Sequence, residues 1–195
     1  RECVESVKCT GKDSELSVDP VFLLTAEEWE KLAKKPKLKN YILIYKLNTS
    51  NLIFDFARKL SKLTGRKIVA LNFDVVDQMK TPDIKGVYSA SVEEFLGYIK
   101  YADYVVTNSF HGTAFSVIFH KDFYVEALQK DFKPNDRVES LLCLTGLDEC
   151  KVKTLEDCRL NVSRDFNFAD DQIRKQYIKT KQYFERVLNE DGRSF

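Results

Sequence analysis

The segment Thr107–Thr113 gathers the side chains of this sequence that are best suited to a chemical step. It reads Thr-Asn-Ser-Phe-His-Gly-Thr and follows the apolar run Tyr104–Val106. Histidine is the side chain whose protonation changes most readily near neutral pH, and the N–H groups at the start of a helix attract anions. If a helix begins in this segment, His111 lies in its first turn. The segment therefore predicts a ligand site in which His111 takes part.

The other residues of this segment fit both a ligand site and an ordinary helix start. Asn108 or Ser109 can cap the helix, Gly112 can let a ligand approach the backbone, and Thr113 adds a hydroxyl group. The alternative is that these residues only cap and pack the helix, with His111 as a surface or packing residue. Composition alone leaves both interpretations open.

Polar residues also follow other predicted strands, at the edge of a parallel sheet where ligands bind. Lys46 and the amide and hydroxyl side chains of residues 48–50, which follow it in the sequence, could hold a phosphate. The alternative is that they cap the next helix. Asp74 could accept a hydrogen bond from a hydroxyl group or begin a turn. Arg137 lies at the head of a helix, where its charge opposes the helix dipole unless the side chain reaches an anion or a carboxylate. For Arg137, a side chain that is simply exposed to solvent is an equally good interpretation. His120, the other histidine, is predicted to be solvated at the opposite edge.

These candidates are positioned by an alternation of short apolar runs with helical patterns. Apolar runs that predict buried strands lie at residues 41–45, 68–71, 104–106 and 123–127. Helical patterns begin with a capping box at Thr25 and recur at 51–63, 91–101, 109–119, 136–144 and, as a long amphipathic helix, about 170–189. Residues 72–90 are predicted to form a loop. The alternation predicts a Rossmann-like α/β fold, a parallel sheet sandwiched by helices, in one domain over residues 1–195.

Composition excludes several function classes. With 44% hydrophobic residues in 195 the chain can bury a core, and 31 basic against 30 acidic side chains give no one-signed face for nucleic acid. No apolar run is long enough to cross a bilayer, and no signal peptide is visible, so a cytoplasmic protein is expected. The five cysteines show no C-x-x-C spacing, so no metal site is expected.

The order of these motifs resembles that of the polysaccharide pyruvyl transferase family. The segments that carry the resemblance are Arg1-Glu2, residues 18–24, residues 41–45, residues 102–112, and Arg137 with Leu141-Leu142. They span most of the chain to about Leu147, and the segment that ends in His111-Gly112 is the most specific of them.

The resemblance implies a fold like that of B-type glycosyltransferases, of which this chain would be the C-terminal half. A missing N-terminal domain would complete the cleft, and the isolated chain would be inactive. The start at Arg1 rather than at methionine fits a processed chain or a piece of a longer protein. Members transfer pyruvate from phosphoenolpyruvate onto two hydroxyl groups of a sugar, with release of phosphate. Phosphoenolpyruvate is thus the expected donor, a polysaccharide or its precursor the expected acceptor, and no cofactor is expected.

The resemblance also implies roles for the candidate residues. His111 would be the general acid or a direct ligand of the donor, and Arg1 and Arg137 would contact its anionic groups. Many members carry an arginine two residues before the histidine, where this chain has Ser109. Either another cation serves the donor, with Arg137 and Lys46 as candidates, or the donor or the chemistry differs.

Two other functions remain open from the sequence. The first is a glycosyltransferase with a nucleotide-sugar donor, which would require an acidic residue to hold the ribose, and the sequence offers no clear candidate. The second is a non-catalytic domain that binds glycan or protein through a degenerate site.

Overall fold

Six strands in the described part of the chain form one parallel sheet. The structure is a computed structural model that describes residues 17–48, 50–71, 73–126, 136–160 and 162–190. The strands are β1 (Tyr41–Tyr45), β2 (Lys67–Leu71), β3 (Lys85–Val87), β4 (Tyr104–Thr107), β5 (Asp122–Glu126) and β6 (Lys151–Val152). Their spatial order is β3-β2-β1-β4-β5-β6, and every neighbouring pair is parallel. The predicted Rossmann-like α/β fold is confirmed.

Seven α-helices connect and cover these strands in the described part of the chain. They are α1 (Ala26–Leu32), α2 (Asn51–Thr64), α3 (Val75–Lys80), α4 (Val92–Lys100), α5 (Phe110–Ile118), α6 (Asp136–Thr145) and α7 (Phe166–Glu190). Side chains set several of the boundaries. Thr25 and Ser91 begin α1 and α4 with complete capping boxes, and Gly65 ends α2 in the left-handed conformation that glycine adopts without strain.

The sheet separates two apolar layers. Tyr41 and Leu43 of β1 pack into the layer that contains α4, α5 and α6, whereas Ile42 and Ile44 face the layer built on α2. Because successive side chains of a strand point to opposite faces, a strand covered on both sides must be apolar throughout. This explains why β1 is a continuous apolar run. No helix in the described segments is long and apolar enough to span a membrane.

Two predictions about elements need correction. The predicted loop at residues 72–90 contains α3 and β3, and Asp74, which was open between a hydroxyl ligand and a turn, begins α3 in a capping box with Asp77. The long C-terminal helix begins at Phe166 rather than near residue 170. His120 is exposed, as predicted, and its Nε2 lies 3.0 Å from Asp170 Oδ1 while its ring stacks on Phe166.

Candidate functional site

The predicted turn lies where the strand order reverses. In the order β3-β2-β1-β4-β5-β6, the chain runs from β1 to β2 on one side of the sheet and from β4 to β5 on the other. Such a switch point opens a crevice beyond the carboxyl ends of β1 and β4. Tyr45 and Thr107 end these strands side by side. The turn Thr107–Thr113 therefore lies at the place in this fold where ligands bind.

Asn108 and Thr107 hold the two turns of the switch point together. The Thr107 hydroxyl donates to the Tyr45 carbonyl over 2.6 Å and accepts from the Ser109 N–H over 3.0 Å. The Asn108 side chain accepts from the Leu47 N–H over 2.8 Å and donates to the Asn48 carbonyl over 2.9 Å. Asn108 is completely buried. Its role as a substrate ligand stays a prediction, while its role in joining the turns is visible.

Ser109 and Thr113 cap and tighten the start of α5. The Ser109 hydroxyl accepts from the Gly112 N–H over 3.4 Å, and the Thr113 hydroxyl donates to the Ser109 carbonyl over 2.9 Å. Both side chains are buried. Burial raises the pKa of the Tyr45 phenol, and its side-chain hydrogen bond with Ser109 acts in the opposite direction. Ser109, which stands where the resemblance implies an arginine in many members, is thus built into the helix start.

That Gly112 lets a ligand approach the backbone stays a prediction, while its role in packing is visible. A Cβ atom at this position would lie 2.4 Å from Thr107 Oγ1 and 3.0 Å from Tyr45 Cδ1. The space that glycine leaves is filled by these two side chains. Gly112 therefore allows α5 to pack closely against the ends of β1 and β4.

His111, in contrast, points out of this buried turn. Its side chain is 50% exposed, and its Nε2 lies 4.0 Å from Asp19 Oδ1. The ring also contacts Phe110 edge to face, with 5.4 Å between centroids. An exposed imidazole in the first turn of a nine-residue helix lies beside N–H groups that have no partner within the helix. The geometry suits proton transfer to an anion bound at this helix end.

Arg137 lies beside His111 and answers the question that the sequence left open. Its guanidinium bonds to Asp19 Oδ2, and its Cζ atom lies 3.9 Å from the centroid of Phe110. The side chain remains 59% exposed, while Asp19 is only 14% exposed. The arginine at the head of α6 therefore reaches a carboxylate. Asp19, which was not predicted as a site residue, joins His111 and Arg137 into one cluster.

Lys46 does not lie open in the turn. Its ammonium group is buried and pairs with the equally buried Asp77 over 2.7 Å. Asp77 belongs to the capping box at the start of α3, so the ion pair ties the turn after β1 to that helix. Binding of a substrate anion by Lys46 stays a prediction, and it would require this buried pair to open.

Glu126 is a second acidic residue that the sequence reading missed. It ends β5 at the same edge, and its Oε1 accepts a hydrogen bond from the Ser50 hydroxyl over 2.7 Å. Its Oε2 is buried and has no hydrogen-bond partner among the described residues. A strand-end carboxylate after an apolar run was the only signal that pointed to it. Arg1 lies outside the described residues.

Over the segments that the structure describes, no group of three or more His, Cys, Asp or Glu side chains is arranged to hold a metal ion. The cations and carboxylates of the site instead pair with each other, Arg137 with Asp19 and Lys46 with Asp77.

Residues 3–128 match the sequence profile of the polysaccharide pyruvyl transferase family. The match includes β1 to β5 and the whole of α5, and the chain belongs to this family. Arg137 and helices α6 and α7 lie beyond the matched segment. The chain has no significant match among curated proteins.

Proposed function

We propose that this chain forms the donor-binding half of an enzyme that transfers pyruvate from phosphoenolpyruvate to two hydroxyl groups of a saccharide. The observation that carries the proposal is the half-exposed His111 at the start of α5, inside the segment that matches a pyruvyl transferase family. The helix start attracts the phosphate and carboxylate groups of the donor. His111 supplies the proton that the reaction requires.

The reaction converts the enol of the donor into a ketal. His111 as an imidazolium donates a proton to C3 of phosphoenolpyruvate, so that the methylene becomes a methyl group and C2 becomes electrophilic. One sugar hydroxyl bonds to C2 and loses its proton. The second hydroxyl then bonds to C2 as the C2–O bond to phosphate breaks. One of the two hydroxyl protons returns to the His111 imidazole, and the other is carried away by the released phosphate.

Arg137 is the cation that serves the donor in place of the arginine that Ser109 replaces. Its guanidinium is 59% exposed and shares the partner Asp19 with His111. A guanidinium binds phosphate or carboxylate in a bidentate manner, so we propose that the donor replaces or shares the contact with Asp19. Asn108, Ser109, Gly112 and Thr113 act by fixing the helix start.

A second domain would complete the cleft above this edge. Apolar side chains are exposed on the turn after β1 and on α3, which start at the carboxyl edge of the sheet: Leu47, Val75, Val76 and Met79. Contiguous exposed apolar groups commonly mark a surface that another domain or partner covers. This supports the proposal that activity requires a polypeptide with both domains.

One observation favours a second candidate function, a transferase that uses a nucleotide-sugar donor. This reaction requires a carboxylate at the sheet edge to accept hydrogen bonds from the ribose hydroxyl groups, and the unpartnered Oε2 of Glu126 meets the chemical requirement. If this function is correct, a uridine or guanosine diphosphate-sugar binds the chain, and Glu126→Gln weakens that binding at least tenfold.

Phosphate release tests the proposed function directly. A polypeptide that carries the second domain is incubated with phosphoenolpyruvate and a panel of oligosaccharides, and phosphate and the mass of the sugar product are measured. The expected product carries one pyruvate ketal. His111→Gln should abolish release, and His120→Gln, a change in the chain's other histidine, should not. The proposal fails if no acceptor supports release and phosphoenolpyruvate does not raise the melting temperature.

A further inference from the structure

A cavity of about 530 Å³ lies beside the α5 start, beyond the carboxyl ends of β1 and β2. Its walls are the aromatic rings of Tyr45, Tyr88 and Phe95 and the chain between Tyr88 and the start of α4. This volume falls in the range of pockets that hold small molecules, roughly 300–1,000 Å³. The cavity is distinct from the His111–Asp19–Arg137 cluster, whose residues do not line it.

The rings that line the cavity are held in place. Tyr45 and Phe95 contact each other with 4.8 Å between centroids, and Phe95 packs against Phe115 in the core. Tyr88 is 58% exposed, but its hydroxyl donates to Gln78 Oε1 over 3.1 Å and its ring contacts that of Phe73. An exposed aromatic ring that is anchored in this way offers a preformed apolar surface to a ligand.

Gly86 affects the position of Tyr88 through the Phe73 ring, which contacts both residues. A Cβ atom at residue 86 would lie 2.3 Å from Phe73 Cδ1, so only glycine lets the Phe73 ring lie against β3. Phe73 in turn packs against Phe54 of α2 and against Tyr88. The exposed Tyr88 ring is thus connected to the core through Phe73, which packs closely against Gly86.

The chemistry of the cavity suits a neutral sugar ring. Among the described residues that line it, none carries a charge, which disfavours phosphate or carboxylate groups as occupants. A pyranose has apolar C–H faces that can pack on aromatic rings and a rim of hydroxyl groups that can bond to Ser89 and Ser91. Pockets of this type combine aromatic walls with a few polar groups that fix orientation.

Tyr45 connects the cavity with the α5 start. The Tyr45 ring that lines the cavity also lies against the first turn of α5, because its Cδ1 would be 3.0 Å from a Cβ at Gly112. A sugar in the cavity would therefore lie beside the start of α5, where we propose that the donor binds.

We infer that the Tyr45–Tyr88–Phe95 cavity binds one pyranose ring of a saccharide. As an acceptor subsite it rests on the proposed function, but its binding of sugar is separate from any reaction. The probes are methyl glycosides of galactose, glucose and mannose, which carry no charge. Binding to the full chain is measured by saturation-transfer NMR and by calorimetry, without phosphoenolpyruvate.

We expect at least one methyl glycoside to bind and Tyr88→Ala to weaken that binding at least tenfold. Tyr88→Phe keeps the ring and should retain binding within about threefold. Phe184→Ala, which removes an exposed aromatic side chain on α7, is the matched control and should change nothing. Melting temperatures of all variants establish that they are folded. The inference is overturned if no glycoside binds, or if Tyr88→Ala and Phe184→Ala bind equally well.

The two proposals fail in different ways. If Tyr88→Ala loses glycoside binding but the unsubstituted two-domain polypeptide releases no phosphate from phosphoenolpyruvate, the sugar subsite is supported and pyruvyl transfer is contradicted. If phosphate is released and Tyr88→Ala leaves the KM for the saccharide unchanged, pyruvyl transfer is supported and the subsite is contradicted.

Discussion

Single residues at the start of α5 divide into those that build the turn and those that face the ligand. Ser109, Asn108 and Thr113 are buried and bonded within the protein, whereas His111 and Arg137 remain half exposed around Asp19. The sequence predicted that Asn108, Ser109, His111 and Thr113 share a turn, and it placed Arg137 at the head of another helix. It could not predict the division, because burial depends on the partners that the fold brings to each side chain.

Ser109→Ala should destabilise the protein by about 1 kcal/mol. The substitution removes the N-cap hydroxyl of α5, which accepts a hydrogen bond from the Gly112 N–H and typically contributes this amount. Chemical denaturation would measure the change in unfolding free energy. Ser17→Ala removes an exposed serine and should change it by less than about 0.5 kcal/mol. Equal stabilities of the two variants would contradict the capping role.

Elements of the fold are connected at the carboxyl edge by pairs of opposite charge. Lys46–Asp77 joins the turn after β1 to α3, and Arg137–Asp19 joins α6 to the 3-10 turn Pro20–Leu23, which Asp19 caps. The first pair is buried and the second is partly exposed. We therefore expect the first to determine stability and the second to be available for a ligand.

Removing either member of the buried pair should be costly. Lys46→Ala or Asp77→Ala leaves an uncompensated buried charge, for which about 3–5 kcal/mol is typical. Denaturation curves of both single variants and of the double variant would measure it, and the double variant should be less destabilised than the sum. Asp171→Ala, which breaks an exposed i,i+4 pair with Lys175, should cost less than about 1 kcal/mol. A small effect at Lys46 would mean that the pair opens easily.

Length explains which elements the sequence revealed. β1, β2, β4 and β5 each have four or five residues that are largely buried, and their apolar runs stand out. β3 and β6 have three and two residues, too few for a pattern. The six-residue α3 exposes Val75, Val76 and Met79 to solvent, so it lacks the apolar stripe from which a helix is predicted.

For the whole molecule, the sequence predicted the class of fold and the edge that carries the site, but not the strand order. That order depends on which strands pair across long intervals, and it is the order that places Thr107–Thr113 at the switch point. Asp19 and Glu126 were missed for the same reason. Each acquires its meaning only from distant partners, His111 and Arg137 for Asp19 and Ser50 for Glu126.

Cysteine labelling can report on the integrity of the whole fold. Cys150 is buried, and burial raises the pKa of its thiol from 9.0 to about 12. Because the thiolate is the reactive form, Cys150 should resist a maleimide at pH 8 in the folded protein, while the exposed Cys143 reacts. Mass spectrometry of peptides would measure both. Reaction of Cys150 should become appreciable only when denaturant unfolds the chain. Equal labelling at pH 8 would contradict the packing of β6 against β5.

An NMR titration of the 195-residue chain with phosphoenolpyruvate shows whether this compound binds at the start of α5 beside His111 and Arg137. We expect shifts of the Phe110, His111 and Gly112 amides and of the His111 ring, and their loss or strong weakening in Arg137→Ala. Unchanged signals at α5, or shifts confined to the opposite edge around Lys62, Lys67 and Lys85, would contradict binding at this site.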